Sequence, residues 1–577
     1  MNKKNLKELK KINTSEILND IENKARGIEN LDSFCAKAFA IAYVLYQSAV
    51  DASVNVESKS ALLYSISTSE SIKEFLDRNL TMDWNVIRSL KDKYSADALL
   101  AYLLFSNEFE DSKSGSYSTP EGVLKLACLL LNIAGGDKVL DLCSGKGNLF
   151  VEAYIEEENF EYTGVELNFH CNDIAQIRAE LLQKDISLII SDALEYRTEE
   201  KADKIFANYP FGLRTSSMNE YKKKMKTSLD LPAEVIQRAS SDWIFNTTII
   251  EQLSESGKAV AIMTNGASCN TADKGIRKYF VENGLIEAVI SLPARLFTGF
   301  AIPTTLVLFS SGNSEIKMVD ASDIYTKERR VNVLSDSDLE RILDLLNKNG
   351  EKSVTKSVEE IADNEYLLSA SHYLEVIPEF DNGVELGSII KYITRGAQIR
   401  AKDLNDLKSN EITDYKYVSL SNIADGILTV DDEQYLKEIP SNLQKFSVKN
   451  NAIVLTRTGI PEFKSAVAQI DASIELLATG NLFVIELDET KVNPFYLQAF
   501  FASDTGAALL RSISTGSVMK MISLDKLKKM IVPLPTIEKQ NCIGNQYAAA
   551  MDESILLRRK LEKTLSKMKL VYSEEVQ

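Results

Sequence analysis

An amide, an aromatic ring, a proline, a second ring and a glycine follow one another at Asn208-Tyr209-Pro210-Phe211-Gly212, directly after the apolar run Ile205-Phe206-Ala207. Strand periodicity ends where the proline falls, so Asn208 is expected in a loop at the carboxyl end of a strand. In open α/β sheets that end is where ligands bind. A carboxamide beside two rings can hold a flat, polar-edged ring by its edge and its face, and a nucleobase is such a ring. Asn-x-Pro is also a common turn, and flanking aromatics often belong to a core. The residues upstream decide between these readings.

Upstream, Asp141-Leu-Cys-Ser144-Gly145-Lys-Gly147 places two glycines where a backbone must approach a ligand closely. The turn is not a phosphate cradle. No glycine lies five residues before the Gly-Lys pair, and Asp141 would repel a phosphate. An acid there suits an amine-bearing ligand. Glu166 and Asp192 close the next two predicted strands, where carboxylates can accept from ribose hydroxyls and from an adenine amino group. Each acid alone reads as a solvated strand end. Together they fit S-adenosylmethionine, which has an amino-acid tail, a ribose and an adenine.

The elements that must position these residues alternate. Strands are expected at Lys138–Leu142, Tyr162–Val165, Ile186–Ile190, Ile205–Ala207, Lys258–Thr264, Ala288–Leu292 and Thr305–Phe309, with helices between the earlier ones. Such alternation implies a parallel, doubly wound sheet. Thr119 is expected to cap a helix beginning at Pro120-Glu121 and running to about Ile133. Residues 1–108 read as a helical domain, 109–312 as the α/β domain, 313–385 as a connector and 386–536 as a β-rich domain. Residues 537–577 read as one long helix with Ile543, Tyr547, Met551, Leu557, Leu561, Leu565 and Met568 along an apolar seam.

Composition bounds the rest. A chain of 577 residues holds several domains. Met1 to Lys11 lacks the apolar core of a secretory signal, and no apolar run reaches the ~20 residues of a membrane span. A cytoplasmic protein is expected. The six cysteines are scattered and there are two histidines, so neither a disulfide framework, a metal centre nor a histidine-based triad is expected. The net charge of −17 weighs against nucleic acid, but residues 381–577 carry 24 basic and 25 acidic side chains, so the acidity lies upstream.

Asp141-x-x-Ser-Gly-x-Gly, Glu166, Asp192 and Asn208-x-Pro-Phe resemble the ordered motifs of S-adenosylmethionine-dependent adenine-N6 DNA methyltransferases. The set is most similar to the modification subunit of type I restriction–modification systems. Gly115-Ser-Tyr117-Ser-Thr119-Pro120 resembles that family's additional cofactor motif. Gly275 to Ile290, Leu292-Pro293, Ile302-Pro303-Thr304 and Glu359 to Leu367 are similar to the same subunit. Ile522 to Pro535, with Glu538 and Gln540, resembles the close of a target-recognition domain from a type I specificity subunit. The family usually has proline where Tyr209 stands.

The resemblance implies a Rossmann-like α/β methyltransferase domain, a helical N-terminal domain and an α+β target-recognition domain ending in a long helix. It implies S-adenosylmethionine as cofactor, held by Tyr117, Thr119, Pro120, Asp141, Ser144, Gly145, Gly147, Glu166 and Asp192, with no metal. It makes Asn208, Tyr209, Pro210 and Phe211 the catalytic set. The Asn208 oxygen and the Tyr209 carbonyl would accept the two hydrogens of an adenine amine, and Phe211 would stack on the extruded base. Double-stranded DNA is the implied substrate. Arg395, Arg400 and Arg457 are candidate contacts, and the run Lys222 to Lys226 is a candidate phosphate arm or a solvated face. One recognition domain is half of the usual two, so the last helix is expected to pair with a second chain or with a specificity or restriction subunit. RNA or a protein amide as substrate, and a non-catalytic specificity protein, are the alternatives.

Overall fold

The computed structural model describes residues 3–25, 31–80, 84–106, 118–213, 216–299, 301–329, 331–374, 379–430, 434–459, 462–514 and 520–575. The chain divides into two compact units, Met1–Leu374 and Glu375–Gln577.

The first unit is built on a nine-stranded sheet. In chain order its strands are β1 (Lys138–Leu142), β2 (Glu161–Glu166), β3 (Ser187–Ile190), β4 (Ala202–Ala207), β5 (Leu253–Thr264), β6 (Ile286–Ser291), β7 (Thr304–Phe309), β8 (Glu315–Asp320) and a last strand, Ser353–Ser357. The spatial order is Ser353–Ser357, β8, β6, β7, β5, β4, β1, β2, β3. After β1 the chain steps outward through β2 and β3, then returns to lay β4 on the other side of β1. The crevice between β1 and β4 is therefore a topological switch point. It brings the residues after Leu142 and Ala207 to one place.

The sheet is not parallel throughout, as the alternation implied. β1 to β5 pair in parallel, but β7 runs antiparallel to both β5 and β6. The physical reason is the connection. Among the described residues of 292–303 there is no helix, and a parallel partner needs a crossover to carry the chain back. The expected connector, 313–385, also contributes to the sheet: β8 pairs in parallel with β6, and Ser353–Ser357 lies antiparallel to β8. Their sequences, EIKMVD and SVTKS, carry few consecutive apolar residues and so read as polar linker.

Both faces of the sheet are covered. One face packs Val139, Phe206, Val260, Ile290 and Leu306 against Leu124, Leu131, Phe150 and Tyr154; the other packs Leu140, Ile205, Ala261 and Val307 against Trp243, Ile249 and Phe280. The N-terminal helices do not form a core apart. Leu6 and Leu9 of Lys3–Leu9 join the first of these clusters, and the cluster around Tyr43, Leu76 and Leu103 takes in Ile174 and Ile177 of the helix Phe169–Leu182.

The second unit has a six-stranded sheet in the order Ile390–Arg395, Leu482–Leu487, Ile453–Thr456, Ser465–Val467, Ile427–Leu428, Ile423–Ala424, and a three-stranded sheet of Tyr415–Val418, Glu475–Ala478 and Ser447–Val448. The chain closes on a 39-residue helix, Ile537–Glu575. Its first turns are anchored: the buried Gln540 amide donates to the carbonyls of Pro535 (2.8 Å) and Lys491 (3.3 Å) and accepts from the Asn493 N–H (3.0 Å). Ile543 packs on the core and Met551 is buried, whereas Leu557, Leu561, Leu565 and Met568 are 59, 58, 47 and 67% exposed. Among the described residues no helix is long and apolar enough to cross a membrane, and no cluster of His, Cys, Asp or Glu could hold a metal ion.

A close approach in the first unit gives a stability test. A Cβ on Gly122 would lie 2.4 Å from the Leu334 carbonyl oxygen, so this helix can approach that loop only without a side chain. Gly122→Ala is expected to lower unfolding free energy by about 1–3 kcal/mol in denaturant titration despite alanine's better helix propensity.

Candidate functional site

β1 carries Asp141 to the switch point, and the chain then turns sharply. Cys143 at φ 97°, Gly145 at φ 52° and Gly147 at φ 75° are all left-handed, and Gly147 caps the helix Asn148–Glu156. The turn is fastened to β2 by the N–H groups of Cys143 and Ser144, which both donate to the Val165 carbonyl (3.0 and 2.9 Å). The two glycines serve different ends. A Cβ at Gly147 would press on Ala175 at 3.1 Å, whereas nothing lies within 4 Å of one at Gly145. Bare backbone at Gly145 therefore meets open space. Cys143 is a non-glycine residue in a strained conformation, a feature that no sequence signal marks.

Three acids stand around this turn, in unequal states. Asp141 is 1% exposed. One of its oxygens accepts from the Tyr162 hydroxyl at 2.9 Å, while Oδ1 is buried with no partner among the described residues. Burial pushes its pKa up to about 7, against the pull of the Tyr162 hydroxyl, and the Glu166 charge adds to the rise. The Ser144 hydroxyl is likewise buried without a partner. Glu166 is already engaged: its carboxylate accepts from the N–H groups of Gly145 (2.9 Å) and Asn168 (2.8 Å), and burial raises its pKa as well. Asp192 Oδ1 accepts from the Leu194 N–H at 2.9 Å.

β4 delivers Asn208 to the other side of the crevice. Its amide NH2 donates to the Thr119 hydroxyl at 2.8 Å. Thr119 is thus not the helix cap expected of it. Pro120 occupies the cap of Glu121–Leu131, and the threonine faces the turn at Asn208 instead. The turn itself is held by one helix, Ser241–Gln252, through residues 242, 245 and 246, which share a face. Tyr209 is 1% exposed; its ring stacks on Phe245 (4.7 Å between centroids, 7° between planes) and its hydroxyl donates to Asn246 Oδ1 at 2.9 Å. Asp242 accepts from the Gly212 N–H (3.3 Å) with one oxygen and from the Thr264 hydroxyl and N–H with the other. Burial pushes Asp242 up to about 6, opposed by the Thr264 hydrogen bonds.

These residues surround one cavity of about 710 Å3. Thr119, Asp141, Ser144 and Gly145 line it from the β1 side, with Glu166 and Asp192 beyond; Asn208 and Pro210 line it from β4. Pro120, Gly147, Tyr209 and Phe211 do not line it. Phe211 is half-buried and packs edge-on against Phe297 (5.2 Å, 90°). Tyr117 lies outside the described residues. Cys143, Asn168, Tyr221 and Phe245 also line the cavity and were not singled out, since side chains on a loop or a uniformly buried helix carry no periodic mark. Lys222 donates to the carbonyls of Gln237 and Ala239, which makes it a strut. A buried carboxylate oxygen and a buried hydroxyl without partners, beside an uncovered glycine backbone, fit a polar, amine-bearing ligand that completes them.

Behind the turn stands Arg178, fully buried on Phe169–Leu182. It donates to the Lys146 carbonyl and Asn148 on the glycine turn, and to the carbonyls of Leu103 (2.9 Å) and Ser106 (2.8 Å) at the end of Ala96–Phe105. Burial lowers its pKa to about 10, so the guanidinium stays charged at neutral pH.

Comparison with known proteins follows these two units. Residues 98–382 match the family described as N-6 DNA Methylase, and residues 382–563 match the type I restriction modification DNA specificity domain. The type I restriction enzyme MjaVIII methylase subunit of Methanocaldococcus jannaschii is 27% identical over 316 residues, 49% of this chain and 54% of that protein. The HindI methylase subunit of Haemophilus influenzae is 25% identical over 311 residues, 49% of this chain and 69% of that protein. The chain thus spans about half the length of the first of these relatives. A solved type I restriction-modification methyltransferase subunit from Streptococcus thermophilus is 20% identical, with a TM-score of 0.45, over 58% of this chain and 79% of that one.

Two tests follow from the geometry. Tyr209→Phe is expected to cost about 1 kcal/mol, one hydrogen bond, and Tyr209→Ala about 3 kcal/mol or more, measured by denaturant unfolding. The sign for Asp141 is set by its raised pKa. Its contribution to folding is full below the ordinary carboxyl range and is lost as pH rises through about 7. The ligand-free chain should therefore lose thermal stability between pH 5 and pH 8, and Asp141→Asn should flatten that slope.

Proposed function

We propose that this chain, which carries an N-6 DNA methylase domain followed by a type I DNA specificity domain, is a site-specific DNA adenine-N6 methyltransferase working in a restriction–modification-type system. The observation that carries the reading is the shared cavity. Asn208 lines the same space as Asp141, Glu166 and Asp192, with the donor half of its amide committed to Thr119.

S-adenosylmethionine is the cofactor the site suits, and it supplies an electrophilic methyl group when bound. Asp141 Oδ1 and the Ser144 hydroxyl would receive its amino-acid portion, Glu166 the ribose hydroxyls and Asp192 the adenine amino group. Glu166 performs this while also holding the Gly145 N–H, since each carboxylate oxygen has two lone pairs. The remaining work falls to the turn after β4. An adenine amine is a poor nucleophile because its lone pair is delocalised into the ring. The Asn208 side-chain oxygen and the Tyr209 carbonyl would accept its two hydrogens and so localise that pair on nitrogen. An amide oxygen can do this whatever its NH2 holds. Fixed dipoles aimed at developing charge are a large catalytic term, and they act here because the turn is already rigid.

The target adenine has to leave the duplex, at a cost of a few kcal/mol. Phe211 is not assigned to stacking, because it packs on Phe297. Tyr209 in the position where the family has proline is compatible with activity: proline's fixed φ is lost, and the Phe245 stack and Asn246 hydrogen bond restrain the turn instead. The second unit would choose the sequence. The exposed seam from Leu557 to Met568 supports pairing of the last helix with a like helix, in a second copy or in a separate specificity subunit, within the cytoplasm.

Asn208→Ala is expected to abolish adenine methylation, read by long-read sequencing of DNA from cells expressing the chain, while S-adenosylmethionine binding in calorimetry stays within a few fold. Methylation at the wild-type level by this variant would remove the assignment. Cofactor affinity should rise with pH up to about 7, since a protonated Asp141 cannot pair with an ammonium. Below that value the dissociation constant should grow by up to about tenfold per pH unit, and Asp141→Asn should bind weakly at every pH.

A further inference from the structure

Two arginines of the second unit stand on one face of its six-stranded sheet without a counter-charge among the described residues. Arg395 closes the edge strand Ile390–Arg395 and lies directly opposite Phe483 on the neighbouring strand. Leu455 lies opposite Phe483 from the other side, and Arg457 follows it by two residues, just past the end of Ile453–Thr456. Residues opposite one another on paired strands, and residues two apart along a strand, share a face. Both side chains are therefore set on the Phe483 side. For Arg457 the placement is direct, with its guanidinium carbon 5.6 Å from the Phe483 ring centroid.

Neither arginine is answered by a carboxylate among the described residues, although the whole chain has 83 acidic residues against 66 basic ones. Arg457 Nε is buried with no hydrogen-bond partner among the described residues. Burial lowers the proton affinity of Arg457, and the Arg395 charge lowers it further. By contrast Arg400, the third arginine of this region, pairs with Asp403 at 3.0 Å. The backbone beneath the pair is fixed. The Arg457 N–H donates to the Asn481 carbonyl (2.8 Å), and its own carbonyl accepts from the Ile522 N–H (3.0 Å). Gly396, the residue after Arg395, comes so close to the connection between Glu475–Ala478 and Leu482–Leu487 that a Cβ there would lie 2.6 Å from the Thr479 carbonyl oxygen.

Two like charges on a rigid frame, one with a desolvated donor lacking an acceptor, are destabilising by themselves. An anion with several oxygens removes both costs, because guanidinium forks match such groups in a planar, two-bond geometry. We propose that Arg395 and Arg457 together form a binding site for one backbone phosphate of double-stranded DNA. The proposal rests on the reading of the second unit as DNA-binding and goes further by naming the residues and the chemical group. A phosphate contact fixes the position of the duplex on the unit and carries no sequence information.

The test is fluorescence anisotropy of the full chain with a labelled mixed-sequence duplex at 50 to 200 mM salt. Arg395→Gln and Arg457→Gln are each expected to weaken binding several-fold at 100 mM salt. The double variant should reduce the slope of log affinity against log salt by about one. Lys529→Gln, which removes an exposed lysine paired with Asp525, should leave both unchanged. Arg395 is exposed, so Arg395→Gln keeps the fold, and circular dichroism checks this for Arg457→Gln. A wild-type chain that binds duplex DNA while the arginine variants keep its affinity and slope overturns the phosphate site and leaves the DNA-binding reading standing. A wild-type chain that binds no duplex overturns both. A loss confined to particular sequences, with the slope intact, also overturns the proposal, since it marks a base-edge contact.

Discussion

A buried carboxylate oxygen without a donor is costly, and the first unit places one, Asp141 Oδ1, at the carboxyl end of β1 with no partner among the described residues. Asp141 is there because the strand that carries it is central and covered on both faces. The fold offers it a single hydroxyl, from Tyr162. Much of the surrounding construction follows from keeping that group accessible to something else. The chain turns away through three left-handed residues, Glu166 spends its own acceptors on the turn, and Gly145 leaves the space above uncovered. The acids at the ends of β1 and β2 thus have different tasks. The buried one lines the cavity, and its neighbour fixes the backbone of the glycine turn.

The opposite wall solves a different problem. A tight turn after β4 must present an amide in one orientation, and Tyr209 does not impose a backbone angle as proline does. The restraint comes from tertiary packing. One face of Ser241–Gln252 supplies a ring to stack on, an acceptor for the hydroxyl and a carboxylate for the Gly212 N–H, while Thr119 takes the amide from the other side. Rigidity at the turn is consequently a property of the helix behind it.

What could be read from the sequence, and what could not, divides along physical lines. Strand ends were legible because apolar runs stop at Asp141, Glu166, Asp192 and Asn208, and a parallel sheet brings such ends together. Direction was not legible for β7, whose fully buried sequence TTLVLF suits either orientation; only the short connection before it decides. The strands after residue 313 were missed because an edge strand with polar residues resembles a linker. The edge-on contact of Phe211 with Phe297 was not legible, since an aromatic residue beside a turn has no mark that says which way it faces. Thr119 sits where a helix cap is expected, and its actual partner is 89 residues away. The pairing of Arg178 with the glycine turn is equally nonlocal, and nothing in the helix around it separates it from a surface arginine.

That arginine has a consequence for how the molecule can be divided. Its guanidinium draws two acceptors from the glycine turn and two from the end of Ala96–Phe105, and Leu6 and Leu9 fill space against the sheet. A fragment beginning at Ser118 would keep every residue that lines the cavity except Ala36. It would also strand a charge in its interior and bare an apolar flank. The unit that evolution can shuffle, or that a protein engineer can graft onto another reader, is therefore the helices and the sheet together.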